Sequence, residues 1–379
     1  MSPSVSGLIL ALNAGSSTVK CALFEPGVSG AVARTTFEAG DAGSGQDPAP
    51  AALAWADQAG AGPGLAAAGH RVVHGGADFH APVRLTCEVV EALDALTPLA
   101  PLHQPRAIRA IRGMFAARPE LPQVACFDTA FHRTMPPVAQ WLGLPRFLHK
   151  RGIRRYGFHG LSYTYIAGRL ALLDPALAAG RVVVAHLGSG ASLCAMADGR
   201  SVDTTMGFSP LDGLLMATRC GAVDPGAVFY LQRHEGLTAA EVEDMLYHRS
   251  GLAGVSGVSG DMRALLASDD PAAAEAVELF VHVAAKATAG MAAALGGLDG
   301  IVFTGGIGEH SAEIRRRIAD RLAWLGLELD EAANRRGGEG PIGARASRVA
   351  AWVVPTDEER VIADQTRAAL EIRPATPRS

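Results

Sequence analysis

The chain of 379 residues contains little lysine and no cluster of positive charge. Only three of its 34 basic residues are lysines, at positions 20, 150 and 286, and the formal net charge is −4. Proteins that bind nucleic acids or anionic membrane surfaces usually carry basic clusters. We therefore expect neither a nucleic acid nor a membrane among its partners.

Cysteine is also scarce, and no Cys-x-x-Cys pair occurs. The thiols are scattered over the chain, at Cys21, Cys87, Cys126, Cys194 and Cys220. An odd and scattered set is typical of reduced thiols, not of a disulfide framework. The short apolar run at residues 8–12 follows no basic region, so it lacks the features of a secretion signal. These observations predict a cytoplasmic protein.

One long apolar run, at residues 271–295, resembles a membrane span by composition. Four polar residues interrupt it at spacings of three or four, namely Glu275, Glu278, His282 and Lys286. Such spacing places one polar stripe along a helix, which a membrane span tolerates poorly. Because Pro271 follows two aspartates, we expect a helix of the protein core that begins there.

Two familiar nucleotide-binding motifs are missing. The chain has neither a G-x-x-x-x-G-K-[ST] loop nor a G-x-G-x-x-G that opens a βαβ unit. Instead, three turns rich in small residues, at 13–17, 186–190 and 304–309, each follow a short apolar strand directly. Consecutive backbone amides in such turns can form a nest for phosphate oxygens. Three of them together indicate a phosphate-binding protein.

Two of these turns belong to segments that look alike. Residues 8–27 and 181–200 both show an apolar strand, a turn of small residues and a second strand, with Asn13 aligned to His186 and Cys21 to Cys194. This pattern suggests a duplicated domain. A chain of this length also exceeds the usual size of one core, which favours two domains.

The remaining pattern predicts alternating strands and helices. Further strands are expected at 71–73, 124–127, 300–303 and 349–354, and helices at 51–58, 89–96, 104–115, 312–325 with Ser311 as its cap, and 358–370. We expect mostly loops between residues 38 and 69, because Gly, Ala, Pro and Asp dominate there.

The motifs along the chain, taken together, resemble those of the acetate kinase family. The family lies within the larger class that includes sugar kinases, actin and the Hsp70 ATPase domain. The matching segments are NAGSSTVK at 13–20, HRVVHGG at 70–76, PLH at 101–103, FDTAFH at 127–132, YGFHG at 156–160, HLGSGAS at 186–192, MGFSPLDGLLMATRCG at 206–221, DP at 224–225, SGDMR at 259–263, TGGIGEHS at 304–311 and PTDEE at 355–359. They occur in one order from the first strand to the last helix, so the resemblance covers nearly the whole chain.

The resemblance implies an α/β protein with two duplicated ribonuclease-H-like, actin-like ATPase domains and an interdomain cleft. The N-terminal domain would comprise residues 1–132 plus 360–379, and the C-terminal nucleotide-binding domain residues 133–359. The implied activity is reversible phosphoryl transfer between ATP and acetate with Mg²⁺, giving acetyl phosphate and ADP. A homodimer is also expected from the family.

Site residues follow from the positions that match the family motifs. The catalytic residues would be Asp128, His159 and Arg219. The substrate-binding residues would be Arg71, Val73, Leu102, Phe158 and Pro210. The nucleotide-binding residues would be Lys20, His186, Leu187, Gly188, Ser189, Gly190, Asp261, Met262, Arg263, Gly305, Gly306, Ile307, Gly308 and Glu309. The metal-associated residues would be Asn13 and Glu358.

The role of Asp128 can be argued from the chemistry of the substrate. A carboxylic acid with a pKa of about 4–5 is already ionised at neutral pH, so its attack on phosphorus needs no general base. We therefore predict that Asp128 orients Arg71, Arg219 or a metal-bound water. The alternative, implied by the resemblance to the family, is that Asp128 acts as a proton acceptor.

Four positions depart from the family pattern: Gln104, Ser189, Cys220 and Asp357. Ser189 matters most, since it replaces an asparagine in a phosphate turn and could alter nucleotide binding or the phosphoryl donor. Three other functions stay open at this point. They are a propionate or butyrate kinase of the same family, a sugar or polyol kinase of the same fold class, and a nucleotide-binding protein without catalysis.

Overall fold

The computed structural model describes residues 7–15, 18–28, 30–38, 48–101 and 103–372, except the side chain of residue 63. Its strands are β1 Leu8–Ala14, β2 Thr18–Phe24, β3 Ala31–Glu38, β4 Leu65–Val72, β5 Val83–Arg84, β6 Gln123–Phe127, β7 Arg181–Leu187, β8 Ala191–Ala197, β9 Arg200–Thr204, β10 Gly300–Thr304, β11 Gly340–Pro341 and β12 Ala350–Val353. Its α-helices are α1 Pro48–Gln58, α2 Cys87–Asp94, α3 Gln104–Ala117, α4 Pro137–Gln140, α5 Arg146–Lys150, α6 Gly160–Leu173, α7 Pro175–Ala178, α8 Pro225–Arg233, α9 Ala239–His248, α10 Gly251–Ser256, α11 Met262–Leu266, α12 Pro271–Leu295, α13 Gly305–His310, α14 Ala312–Arg321, α15 Glu331–Arg336 and α16 Glu358–Ala369. Short 3₁₀ helices lie at Gly62–Gly64, Thr97–Leu99, Ala130–Thr134 and Ala323–Leu325.

The chain forms two compact units. Unit 1 comprises residues 1–131, 160–165 and 357–379, and unit 2 comprises residues 132–159 and 166–356. Unit 1 contains a sheet in the order β3-β2-β1-β4-β6-β5. Helix α16 packs on one face of this sheet, against β1, β4 and β6, while α3 packs on β4 and on α1.

Unit 2 contains a second sheet, in the order β11-β12-β10-β7-β8-β9. Helix α12 packs across β7, β8 and β9, and the short helix α13 packs against β7 and β10. By length and composition α12 could cross a membrane. Its apolar face is instead buried in the unit, through residues such as Val277, Phe280 and Val281. The prediction of a core helix is confirmed, and Asp270 caps it by accepting a hydrogen bond from the backbone N–H of Ala272.

The two sheets repeat one topology. In unit 1, β1, β2 and β3 are antiparallel, and β4 and β6 then add in parallel on the other side of β1. In unit 2, β7, β8 and β9 are antiparallel, and β10 and β12 add in parallel on the other side of β7. A two-residue antiparallel strand completes each sheet, β5 beside β6 and β11 beside β12. The predicted α/β fold of two duplicated ribonuclease-H-like, actin-like ATPase domains is thus confirmed.

The pairing within the two hairpins differs by one residue. Asn13 lies opposite Lys20 in unit 1, whereas His186 lies opposite Ser192 in unit 2. The second turn is therefore one residue shorter than the first. The alignment of Cys21 with Cys194 fails by one position for this reason, although the duplication itself holds.

Two local predictions were wrong. The region predicted as mostly loops contains most of β4, whose residues 65–69 are Leu-Ala-Ala-Ala-Gly. Small residues are needed there because α16 lies directly on the strand: a Cβ at Gly69 would overlap Thr366 Oγ1 and lie 2.6 Å from Ile362 Cγ2. The predicted glycine turn at 304–309 is helix α13 from Gly305 onward. Packing against β7 and β10 outweighs the low helix propensity of its three glycines.

Candidate active site

The site residues of unit 1 lie where its parallel strands end. Asn13 lies near the end of β1, Arg71 near the end of β4, and Asp128 directly after β6. The carboxyl ends of parallel strands are the usual place for ligands in open α/β sheets. Helix α16 begins at Glu358 in the same unit, with the side chain of Asp357 as its N-cap.

Arg71 and Asp128 form a close ion pair. Arg71 donates to Asp128 Oδ2 from Nε at 3.0 Å and from Nη2 at 2.6 Å, and Nη1 donates to the carbonyl of Ala14 at 3.2 Å. Asp128 is fully buried. Burial lowers the pKa of the guanidinium, but the neighbouring carboxylates Asp128 and Glu358 outweigh this effect and the net shift is upward. The buried carboxylate therefore fixes both the charge and the orientation of Arg71.

Two glutamates at the start of α16 contact Asn13. The Asn13 amide donates from Nδ2 to Glu358 Oε2 at 2.7 Å and to Glu359 Oε1 at 2.8 Å. Burial raises the pKa of Glu358; Arg71 opposes this shift and the negative charge of Asp128 adds to it. Burial likewise raises the pKa of Glu359. The clustered carboxylates would gain stability from an added cation.

The oxygen atoms of this cluster suit Mg²⁺. Asp128 Oδ1 is buried without a hydrogen-bond partner, and Mg²⁺ prefers carboxylate, carbonyl and water oxygens. Among the described residues, no group of three or more His, Cys, Asp or Glu side chains is arranged to hold a metal ion alone.

Three further positions complete the account of unit 1. Lys20 lies on β2 opposite Asn13, and its charge lowers the pKa of both glutamates. Val73 is buried just after β4. Leu102 lies outside the described residues. Sequence reasoning missed Arg106, which donates from Nη1 to the carbonyl of Gly15 at 3.2 Å, because no motif marks an arginine in the first turn of α3.

In unit 2, Gly190 brings an imidazole and a guanidinium together. A Cβ at Gly190 would lie 2.6 Å from Arg219 Nη2 and 3.2 Å from His159 Nε2. Arg219 also donates from Nη1 to the carbonyl of Pro210 at 2.6 Å. The absence of a side chain at Gly190 therefore allows both groups to approach the turn of the second hairpin.

His159 is held in an unusual conformation. Its φ of +58° is left-handed, a region that non-glycine residues enter at a cost and that is common at functional sites. Nδ1 lies 2.8 Å from Ser192 Oγ, and the ring stacks on His186 with 4.3 Å between centroids. Sequence reasoning missed Ser192, a small residue on β8. Phe158, the preceding residue, is buried.

Burial raises the pKa of the Cys220 thiol to about 11, so the thiol beside Arg219 stays neutral at physiological pH.

A cavity of about 850 Å³ lies beside the same turn, which is within the range for small-molecule sites. It is lined by Gly188, Ser189, Gly260, Asp261, Met262, Arg263, Leu266, Ala267, Gly306, Ile307, His310 and Ser311. Seven of the predicted nucleotide-binding residues are thus brought together in unit 2. The other predicted residues of this unit, His186, Leu187, Gly190, Gly305, Gly308 and Glu309, are not among the lining residues.

Comparison with known proteins gives the family. A family model described as the Acetokinase family matches residues 57–364. The chain belongs to the acetokinase family. A curated relative named acetate kinase, from Rhodopseudomonas palustris (strain ATCC BAA-98 / CGA009), is 52% identical and the alignment covers 95% of this chain and 97% of the relative. Another acetate kinase, from Methylocella silvestris, is 46% identical with 97% and 99% coverage.

Solved structures of family members are similar over the same extent. A propionate kinase from Francisella tularensis subsp. tularensis SCHU S4 has a TM-score of 0.88 at 38% identity, covering 96% of this chain and 99% of that one. An acetate kinase from Porphyromonas gingivalis has a TM-score of 0.85 at 33% identity, covering 96% and 100%. The acetokinase fold therefore spans both units of the chain.

Proposed function

We propose that this acetokinase-family protein is an acetate kinase. An oxygen of acetate would attack the γ-phosphorus of ATP and form acetyl phosphate, while the bond to the β,γ-bridging oxygen breaks and ADP leaves with the electron pair. The observation that carries this proposal is the approach of Arg219 and His159 to Gly190, beside a cavity large enough for a nucleoside. High identity to relatives named acetate kinase supports the choice of acid.

The residues of unit 2 would stabilise the phosphoryl group in transfer. Phosphoryl transfer depends mainly on alignment and on positive groups around the equatorial oxygens. The Arg219 guanidinium supplies such a charge. If the Ser192 hydroxyl donates to His159 Nδ1, the ring proton resides on Nε2, the atom nearest Gly190, and can be donated to a phosphoryl oxygen.

Arg71 of unit 1 would bind the carboxylate of the acid. Asp128 and Ala14 occupy about three of the five donors of the Arg71 guanidinium, which leaves about two for a carboxylate. Since acetate is ionised at neutral pH, Asp128 is needed to orient Arg71 and not as a base. Asn13 Oδ1 and Glu358 would hold Mg²⁺, whose charge offsets that of the phosphates when it is bound.

A hydroxamate assay tests the proposal. Purified protein is incubated with ATP, Mg²⁺, acetate and hydroxylamine, and acetyl hydroxamate is measured. We expect ATP-dependent product from the wild type and from Arg233→Ala, a variant of an exposed arginine at the end of α8, but not from Arg219→Ala. No ATP-dependent hydroxamate with any short acid would refute the enzyme assignment.

A propionate kinase is the second candidate, because one similar structure carries that name. The kcat/KM values for C2, C3 and C4 acids distinguish the two, since one methylene in an apolar pocket is worth about 1–3 kcal/mol. Use of ATP, the homodimer, the cytoplasmic location and the domain bounds 1–132 plus 360–379 and 133–359 stay predictions. ADP binding, sedimentation and cell fractionation would test the first three.

A further inference from the structure

Glu309 belongs to helix α13 but its carboxylate faces backbone groups. Oε1 accepts hydrogen bonds from the N–H of Gly305 at 2.9 Å, from the N–H of Thr356 at 3.1 Å and from the hydroxyl of Thr304 at 3.3 Å. The side chain is only 14% exposed. Such charge-assisted bonds are stronger than neutral ones, so the carboxylate holds the junction of β10 and α13 and the backbone at Thr356 in a defined arrangement.

Helix α13 forms part of the cavity wall. Gly306, Ile307 and His310 line the cavity, whereas Glu309 does not. Gly305, at the start of the helix, has a φ of +76° and packs so closely on β7 that a Cβ would lie 2.8 Å from the carbonyl oxygen of Leu187. Glu309 therefore acts on the wall and on its contact with the second hairpin.

The other end of α13 is held by a buried guanidinium. Arg315 is 1% exposed and donates from Nη1 to the carbonyls of Gly308 at 2.8 Å and Glu309 at 2.9 Å. It also contacts Asn334 through Nε and Nη2. With both ends fixed, the helix can move only together with the segments that Glu309 and Arg315 bind.

One of these segments leads to the proposed metal ligand. Thr356 is the last residue of unit 2, and Asp357 is the first residue of the C-terminal segment of unit 1. Glu358 is two residues beyond Thr356. Two residues of chain span at most about 7 Å. A displacement of Thr356 is therefore transmitted to Glu358, because so short a connection has little freedom to compensate for it.

We propose that Glu309 is a positioning residue that couples occupancy of the cavity to the placement of Glu358. A nucleotide that fixes the position of α13 would, through the Glu309–Thr356 hydrogen bond, also fix the start of the segment that carries Glu358. By linkage, Mg²⁺ and the nucleotide then strengthen each other's binding. The inference deepens the proposed function and rests on its assignment of the cavity and of Glu358.

The test measures coupling without turnover. The dissociation constant of ADP is determined by calorimetry with saturating Mg²⁺ and in EDTA, and the ratio of the two values is the coupling factor. For Glu309→Ala we expect this factor to fall at least about fivefold, with the metal-free constant within about threefold of wild type. The matched control is Glu313→Gln on α14, which removes a half-buried carboxylate paired with Arg316 and Arg317.

Two results would contradict the role proposed for Glu309, and one would contradict only the proposed reaction. A metal-free constant that rises tenfold at unchanged coupling would make Glu309 a direct nucleotide contact, and an unchanged pair of constants would give it no role; either overturns the inference. If Glu309→Ala does not fold, Glu309→Gln keeps the shape and weakens the bonds, and a fall of about twofold or more is expected. The wild type could be inactive in the hydroxamate assay and still show coupling that depends on Glu309. That result would refute the proposed reaction but not the role of Glu309.

Discussion

The two hairpins occupy the same place in duplicated sheets and carry different chemistry. Around the first lie an arginine paired with a buried aspartate, and two glutamates held by Asn13. Around the second lie stacked imidazoles, Arg219 and a cavity. One fold thus supports two kinds of site, because the residues just beyond the strands, and not the strands, set the chemistry.

A second difference lies inside the sheets. His70 of β4 is opposite Leu12, and the corresponding place in unit 2, opposite Ala185, is taken by Phe303 of β10. Both are buried. Unit 1 therefore keeps a polar, titratable group in its core where unit 2 has a purely apolar one, so the units should respond differently to acid.

The largest expected effect separates the roles of the two hairpins. Arg219→Ala should lower kcat by roughly 10³-fold, the lower end of the range for arginines that stabilise a transferring phosphoryl group. The KM for acetate should change less than about threefold, because the carboxylate of the acid is assigned to Arg71 of unit 1. Initial rates with both substrates varied check this. A large rise in the KM for acetate with kcat preserved would contradict the division of labour.

Asp128→Asn should lower kcat/KM for acetate by roughly 10²-fold, since Arg71 loses its ionic partner and its fixed orientation. The acid limb of the pH–rate profile should stay where it is, because the attacking acid is already ionised. The profile is measured for wild type and variant between about pH 4 and 8, a range that includes the ionisation of the acid. A large shift of that limb would instead make Asp128 a base.

Much of this architecture was accessible from the sequence. The starts of α12 at Pro271 and of α16 at Glu358 were predicted to the residue, since a Pro after Asp and an acidic first turn are local signals. Strands β3 and β9 were missed because edge strands need little apolar pattern. The contacts of Glu309 with Thr356 and of Arg106 with Gly15 join residues 47 and 91 positions apart, and no local pattern encodes them.

Because His70 is buried in the core of unit 1, we predict that the free energy of unfolding falls in acid. Burial lowers the pKa of His70 from 6.5 to about 4, partly offset by Gln123. Because the folded pKa lies below the unfolded one, the stabilisation is complete above pH 6.5 and is lost as the pH falls to about 4; the loss is on the order of 3 kcal/mol. His70→Leu should make the free energy of unfolding, measured by chemical denaturation at a series of pH values, nearly independent of pH between 6.5 and 4. The exposed His248→Gln should leave it unchanged, and an equally flat wild type would show that His70 does not titrate in this way.

The smallest expected effect concerns the size of the acid pocket in unit 1. Val73 is 2% exposed, and Val73→Ala would remove the bulk of its side chain from the place where the methyl end of the acid is expected. Since one methylene is worth about 1–3 kcal/mol in such a pocket, the ratio of kcat/KM for propionate over acetate should rise about tenfold. Val242→Ala, an equally buried truncation on α9 of unit 2, is the matched control for lost packing and should leave the ratio unchanged. If both variants alter the ratio alike, chain-length selection does not reside at Val73, and the acid pocket must be sought among other side chains.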